Sequence, residues 1–288
     1  MLSSAPSKVR CRQIAEADLE AVADLLREGF PSRARKYWTT GFERMRRRPP
    51  PCDAPRFGYV LDVDGALVGV LLLLFTGMAQ ARPTFNVSSW YVRPGYRGFA
   101  TLLVTMALRR KDAVYLNTSP IEHSLPILTA LGFRPLSNGQ LVSALWLSPP
   151  GRARVRAISP TEQACRHPQL PEFDLLRDHA ANGCISLVCD TGADQIPFIF
   201  TRRDIRYAPL GVAQLIWCRQ YEDLARLAGP LGRALAQRGA PLVICDANGP
   251  VEGLVGRYFP GKSPKFFKGP IQPRINDLAF SEAVIFGP

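Results

Sequence analysis

Histidine and lysine are scarce in this chain of 288 residues, which has three of the first and six of the second against thirty arginines. Its seven cysteines (Cys11, Cys52, Cys165, Cys184, Cys189, Cys218, Cys245) form no C-x-x-C pair and have no histidine at metal-ligand spacing. That excludes the zinc-ribbon and zinc-finger patterns, and no metal is expected. Five of the cysteines lie in or beside apolar runs, where a reduced thiol behaves as a small buried hydrophobe. No apolar run reaches the roughly 18 residues that a membrane-crossing helix needs. The longest, Ala66 to Phe75, is interrupted by Gly69 and is strand-sized. Met1 to Lys8 is short and polar with no apolar segment behind it, so no secretory signal is read and the expected location is cytoplasmic.

What is abundant is arginine. The net charge is +12, and residues 1 to 145 hold 19 basic against 11 acidic side chains. The excess is of the planar, bidentate kind that suits phosphate. A polyphosphate cofactor, nucleic acid and an anionic surface all fit such a balance. With 47% hydrophobic residues, a chain of this length suits two ordinary domains.

One stretch organises the rest. Phe85 to Val92 is β-branched and aromatic enough for a strand, and Pro94 and Gly95 stop it. Leu102, Leu103, Met106 and Ala107 then recur as one face of a helix. A helix N-terminus opening just past a strand end offers unpaired amides, and Gly98 and Ala100 keep bulk away from the backbone. An anion, a phosphate or pyrophosphate, is the expected ligand.

The string Val92-Arg-Pro-Gly-Tyr-Arg97-Gly-Phe-Ala100 resembles the acyl-CoA-binding segment of the GCN5-related N-acetyltransferases, V-x-P-x-x-R/Q-x-x-G-x-G/A. Arg97 stands at the R/Q position, while Ala100 and Leu102 stand where two small residues are usual. The resemblance implies acetyl-CoA or another acyl-CoA as co-substrate. Tyr91 and Val92 would then hold the pantetheine arm through their main chain, with Arg97, Gly98, Phe99, Ala100, Thr101 and Leu102 on the pyrophosphate.

The order of elements agrees with that family. A strand at Val9 to Ile14 precedes a helix from about Asp18 to Gly29, whose buried face is Leu19, Val22, Leu25 and Leu26. Ser32 caps a second helix with Tyr37 or Trp38, Phe42 and Met45 on one side and many arginines on the other. Phe57 to Val63 and Ala66 to Phe75 flank Asp64-Gly65, a type I′ hairpin turn. Thr76 to Pro83 reads as a loop, Ala113 to Thr118 as a buried strand and Glu122 to Leu131 as a helix. Phe133 to Ser137 and Leu141 to Leu147 read as a last hairpin around Asn138-Gly139. Ser148 to Pro160 is proline-rich at both ends and reads as a linker. Residues 161 to 288 then repeat helix, hairpin, strand, helix and strand, as a degenerate second copy of the same fold. The basic and aromatic stretch Arg257 to Pro270 reads as a loop, and Asp277 to Phe286 as a final strand. The expected class is a mixed-sheet α/β fold of tandem acyltransferase-like domains, 1–147 and 161–288 joined by 148–160. In the second copy Glu222 and Asp223 open the helix without a glycine turn, so that half is not expected to bind CoA.

Direct attack of an amine on a thioester needs a base and an acid. The tyrosine that the family often places four residues before its Gly-Phe is Leu128 here, and Phe85 to Val92 carries no glutamate. His123 and Ser119, just past the fifth strand, are the candidate catalytic residues, histidine because it titrates near neutrality. If the two halves share one pocket, Asp277 or Glu282 supplies the missing carboxylate. The reading is transfer of an acyl group from acyl-CoA to a small-molecule or peptide amine. A non-catalytic acyl-CoA-binding protein and a basic nucleic-acid-binding protein are the alternatives, the latter resting on the helix at Arg33 to Arg48 and on Arg257 to Pro270.

Overall fold

A computed structural model of the chain describes residues 8–51, 54–164, 170–204 and 210–287. Along it run β1 (Val9–Gln13), α1 (Leu19–Gly29), α2 (Arg35–Arg46), β2 (Gly58–Val63), β3 (Ala66–Ala79), β4 (Arg82–Val92), α3 (Ala100–Ala107) and β5 (Val114–Asn117). Then follow α4 (Leu125–Ala130), β6 (Arg134–Ser143), β7 (Arg154–Ala157), α5 (Phe173–Ala181), β8 (Ile185–Asp190), β9 (Gln195–Arg203) and β10 (Val212–Cys218). Last come α6 (Tyr221–Arg226), α7 (Ala228–Ala236), β11 (Leu242–Ala247), β12 (Gly256–Lys268) and α8 (Glu282–Ile285). The chain divides into two compact units. The first holds the residues up to Thr118 with Phe267–Gln272 and Phe280–Gly287, and the second holds Ser119–Phe266 with Pro273–Ala279.

In the first unit β1, β2, β3 and β4 pair antiparallel in chain order, and β4 pairs parallel with β5. The expected Asp64-Gly65 turn joins β2 to β3, with Asp64 at φ 51 and Gly65 at φ 90. β3 and β4 are longer than their apolar runs suggested. They meet across Gln80 and Ala81, both at positive φ, so the expected loop over Thr76 to Pro83 is a tight hairpin turn. Leu19, Val22, Leu25 and Leu26 of α1 are all buried, as their spacing predicts. On α2, Trp38, Phe42 and Met45 are buried, but the cap position is Ala34 and Ser32 makes no cap.

α8 belongs to this unit, and the expected final strand over Asp277 to Phe286 is replaced by its single turn. Phe286 stacks on Tyr37 at 5.5 Å and meets Trp38 and Phe42 edge-on at 5.4 and 6.3 Å. It lies over Gly41, where any Cβ would fall 2.0 Å from the ring. Arg44 closes the contact by donating to the carbonyls of Val284 and Ile285 at 2.9 and 3.0 Å. These carbonyls are the open end of a short helix, and a guanidinium satisfies them.

In the second unit β7, β8, β9 and β10 pair antiparallel in chain order and β10 pairs parallel with β11. The order and senses are those of β1 to β5. β6 pairs antiparallel with β11, and β12 lies beside β6. The core is built from alternate residues such as Phe198 and Phe200 against Leu231 and Leu235. Two expectations are corrected here. Residues 134–143 form one strand and not a hairpin, because Gly139 serves close packing: a Cβ there would meet the Phe259 carbonyl at 2.4 Å. Residues 256–268 form β12 and not a loop.

Candidate functional site

β4 is the element from which a site is built. Its parallel ladder to β5 covers Thr84, Phe85 and Asn86, opposite Val114, Tyr115 and Leu116. β4 then continues to Val92 with no strand paired on its β5 side among the described residues. The Asn86 carboxamide marks the end of the ladder by donating to the carbonyls of Leu116 and Val87 at 3.3 and 3.1 Å. Just beyond, Ser89 and Trp90 together face Leu71, a bulge with Ser89 at φ 52. Trp90 Nε1 is buried without a hydrogen-bond partner among the described residues. An open strand edge beside a bulge can take a ligand that carries its own amides.

β4 leads into Arg93, whose N–H donates to the Val68 carbonyl at 2.9 Å. The Arg93 guanidinium holds Glu28 through bonds of 2.9 and 2.6 Å, and this keeps the Glu28 carboxyl below its ordinary range. Arg97 differs. Its guanidinium is exposed and has no hydrogen bond or ion pair among the described residues, leaving its fork available to an anion. The turn between them is wound more tightly than expected. Pro94, with its fixed φ, starts a 3-10 helix through Phe99, in which Tyr96 N–H donates to Arg93 O and Ala100 N–H to Arg97 O. Those amides are used internally, so the picture of a wholly unpaired first turn is corrected. Gly95 and Gly98 face open space, and Thr101 is exposed.

The buried face of α3 is Leu103, Val104 and Ala107. Leu102 sits on the flank of that stripe and is 39% exposed, as Phe99 is 42% exposed, so Leu102 does not share the buried face expected of it. Val92 is buried, and the Tyr91 ring lies against Gly29 of α1.

A carboxylate also reaches this region, from far along the chain. Glu282, the first residue of α8, accepts hydrogen bonds from Ser88 Oγ of β4 and, at 3.0 Å, from Thr118 Oγ1, one residue past β5. Its N–H donates to Asn86 Oδ1 at 2.8 Å. Ser88 Oγ also lies 3.0 Å from Ser89 Oγ. One carboxylate thus bridges the two strands just where their ladder stops. Of the acid and base candidates read from sequence, Ser119 is exposed and follows Thr118, and His123 falls in the turn Glu122–Ser124, its side chain lying outside the described residues. Both belong to the second unit. Leu128 is buried.

In the second unit the corresponding ladder also spans three positions, Val212 to Gln214 opposite Leu242 to Ile244. Here the chain's own backbone takes up the edge beyond. Leu278 N–H donates to Ile216 O at 2.8 Å, and the Asn276 carboxamide exchanges bonds with Asp246 N–H and C=O at 2.9 and 3.0 Å. Arg219 is held by Glu172 and Asp194, and Glu222 and Asp223 stand in the first turn of α6. A pyrophosphate would meet two carboxylates there and no free cation from Arg219. Burial pushes the thiols of Cys189, Cys218 and Cys245 each up to about 12, and that of half-buried Cys11 to about 11, which disfavours the reactive thiolate. Cys52 and Cys165 lie outside the described residues.

Several residues of the two basic stretches are engaged within the fold. On α2, Arg35 pairs with Asp24 and Glu20, Arg46 with Glu43 and Glu16, and Arg33 lies over Tyr37. Arg48 lies over the rings of Phe280 and Phe75. On β12, Lys265 is buried against Asp246 at 3.7 Å. No helix among the described residues is long and apolar enough to cross a membrane.

This architecture is the GCN5-related N-acetyltransferase fold. Solved structures similar to nearly the whole chain include a proposed acetyltransferase of Pyrococcus horikoshii, at 13% identity and TM-score 0.59, covering 98% of this chain and 96% of that one. GCN5-related N-acetyltransferases from Anabaena variabilis and Kribbella flavida match at TM-scores 0.60 and 0.58 and identities of 10% and 15%. Each covers 91% of this chain, with 72% and 71% of their own length matched respectively. No protein-family model and no curated protein matches the sequence.

Proposed function

We propose that the chain is an N-acyltransferase that moves an acyl group, acetyl in the first instance, from acyl-CoA to an amine by direct attack. The observation that carries this reading is the unpaired edge of β4 from Val87 to Val92, running into a turn with a free arginine at Arg97. In this reading the pantetheine amides bond the main chain at Tyr91 and Val92. The pyrophosphate meets Arg97 and the small-residue turn through Leu102. The first unit carries the site. The second is a degenerate copy, the proposal resting on its matching strand order, its self-filled edge and its acidic helix start. The acceptor is a small-molecule or peptide amine.

Calorimetric titration with acetyl-CoA, repeated on Arg97→Glu, tests the reading. Wild-type protein is expected to bind in the micromolar range. Reversing a charge that makes a charge-assisted contact costs about 2 kcal/mol, or roughly 30-fold in Kd. Arg97 is exposed and unpartnered, so Tm is expected to stay within about 1 °C of wild type. Absence of acetyl-CoA binding by the wild type refutes the proposal.

A further inference from the structure

Four hydrogen-bonding side chains meet at the end of the β4–β5 ladder: Asn86, Ser88 and Thr118 from the strands and Glu282 from α8. The Glu282 carboxylate accepts from Ser88 Oγ and from Thr118 Oγ1, which also lies 3.3 Å from Asn86 Oδ1, and among the described residues no lysine or arginine is bonded to it. Two hydroxyl donors fix the orientation of this carboxylate without a bonded cation to neutralise it, the arrangement of a positioned general base. Glu282 is half-buried. β4 carries no carboxylate, so a carboxylate at this place comes from elsewhere in the chain.

We infer that Glu282 is the proton acceptor of the acyl transfer, a catalytic residue delivered into the first unit by the last turn of the chain. The inference rests on the acyl-transfer reading above. The acceptor enters as an ammonium and gives one proton to the Glu282 carboxylate. Its freed lone pair forms the C–N bond to the thioester carbonyl carbon. The C–S bond breaks as the tetrahedral carbon collapses, and the departing thiolate takes the second proton from nitrogen. Glu282 returns its proton to solvent. Ser88 and Thr118 are positioning residues that hold the two carboxylate oxygens.

The test needs no knowledge of the acceptor, because water attacking bound acetyl-CoA loses a proton to the same group. Thiol release from acetyl-CoA is followed for the full chain and for Glu282→Gln, with acetyl-CoA affinity measured in parallel. Wild-type release above the buffer rate, lowered about 100-fold in E282Q with Kd unchanged within twofold, supports the inference. Added formate is expected to restore release by Glu282→Ala, a response that a purely structural role would not give. Release by E282Q at the wild-type rate overturns it, as does a wild type that binds acetyl-CoA without releasing thiol above buffer. If E282Q melts more than about 5 °C below wild type, formate rescue of E282A decides, and absence of rescue overturns the inference. Failure of the wild type to bind acetyl-CoA is a different result, since it removes the acyl-transfer reading itself.

Discussion

Phe286→Ala tests how firmly the end of the chain is built into the first unit. The ring is 6% exposed and touches Tyr37, Trp38 and Phe42, with its face over Gly41. Truncating a buried phenylalanine costs about 3 kcal/mol from lost burial and the cavity left behind. Arg44's two bonds to Val284 and Ile285 contribute about 1 to 3 kcal/mol together and, with the Glu282 bonds to Asn86, Ser88 and Thr118, only partly offset that loss. The turn is therefore expected to undock, taking Glu282 away from Ser88 and Thr118. Two measurements report this. Calorimetry is expected to lower the melting of the first unit by roughly 6 to 10 °C. Hydrogen exchange is expected to show protection lost at Glu282 to Phe286 while α3 and β4 keep theirs. Unchanged Tm together with unchanged protection of residues 282–286 would refute the reasoning, because the aromatic contacts would then contribute nothing to docking.

Acid stability gives a second test. Arg12 donates to both oxygens of Asp18 at 2.6 and 2.9 Å and to Asp62 at 2.9 Å. Its guanidinium holds Asp18 below the ordinary carboxylate range, and the Gly65 N–H followed by Arg12 does the same for Asp62. Depressed carboxyl values stabilise the fold above the ordinary carboxylate range, and this is lost as pH falls through the depressed values. Arg12→Ala is expected to cost about 1 kcal/mol at pH 7, discounted for the arginine's partial exposure, and to cost less at about pH 3 in urea titrations. An equal deficit at both pH values would contradict the assignment. The third concerns thiols: Cys189, Cys218 and Cys245 are buried and raised to about 12. A disulfide reagent at pH 8 is expected to leave these three unmodified in native protein and to label them in urea, as read by peptide mass. Rapid native labelling of any of them would show that its strand opens.

Much of the first unit is legible in the sequence because its signals are local. The spacing of Leu19, Val22, Leu25 and Leu26 specifies the face of α1, and Asp64-Gly65 specifies a turn by the positive φ it permits. Phe85 to Ala107 is legible as strand, turn and helix for the same reason. What misled was a residue with two uses. Gly139 after Asn138 has the form of a hairpin turn, yet it serves the approach of the Phe259 carbonyl within β6. That use depends on β12, which lies more than a hundred residues along the chain. The candidate carboxylate is hidden by the same distance. Ser88 and Glu282 are separated by 194 positions, and no periodicity near either one signals the other. His123 and Ser119 draw attention by residue type and by proximity to the fifth strand, whereas Thr118, their neighbour, is the one that bonds Glu282.

The segment from Arg274 to Phe286 explains why one unit and not the other is the proposed seat of acyl transfer. Each unit has a three-residue parallel ladder ending on a carboxamide, Asn86 in one and Gln214 in the other. At Ile216 and Asp246 the segment bonds main-chain groups of β10 and β11, through Leu278 N–H and the Asn276 side chain. Those are the backbone groups that a bound amide ligand would need. At Ser88 and Thr118 it bonds only hydroxyls, and it presents a carboxylate in place of an amide. The main-chain edge of β4 is not consumed by that contact, so a ligand with amides of its own still has partners there. The same segment thus contacts one edge through the Leu278 N–H and the Asn276 side chain and places the Glu282 carboxylate, the proposed proton acceptor, beside the other.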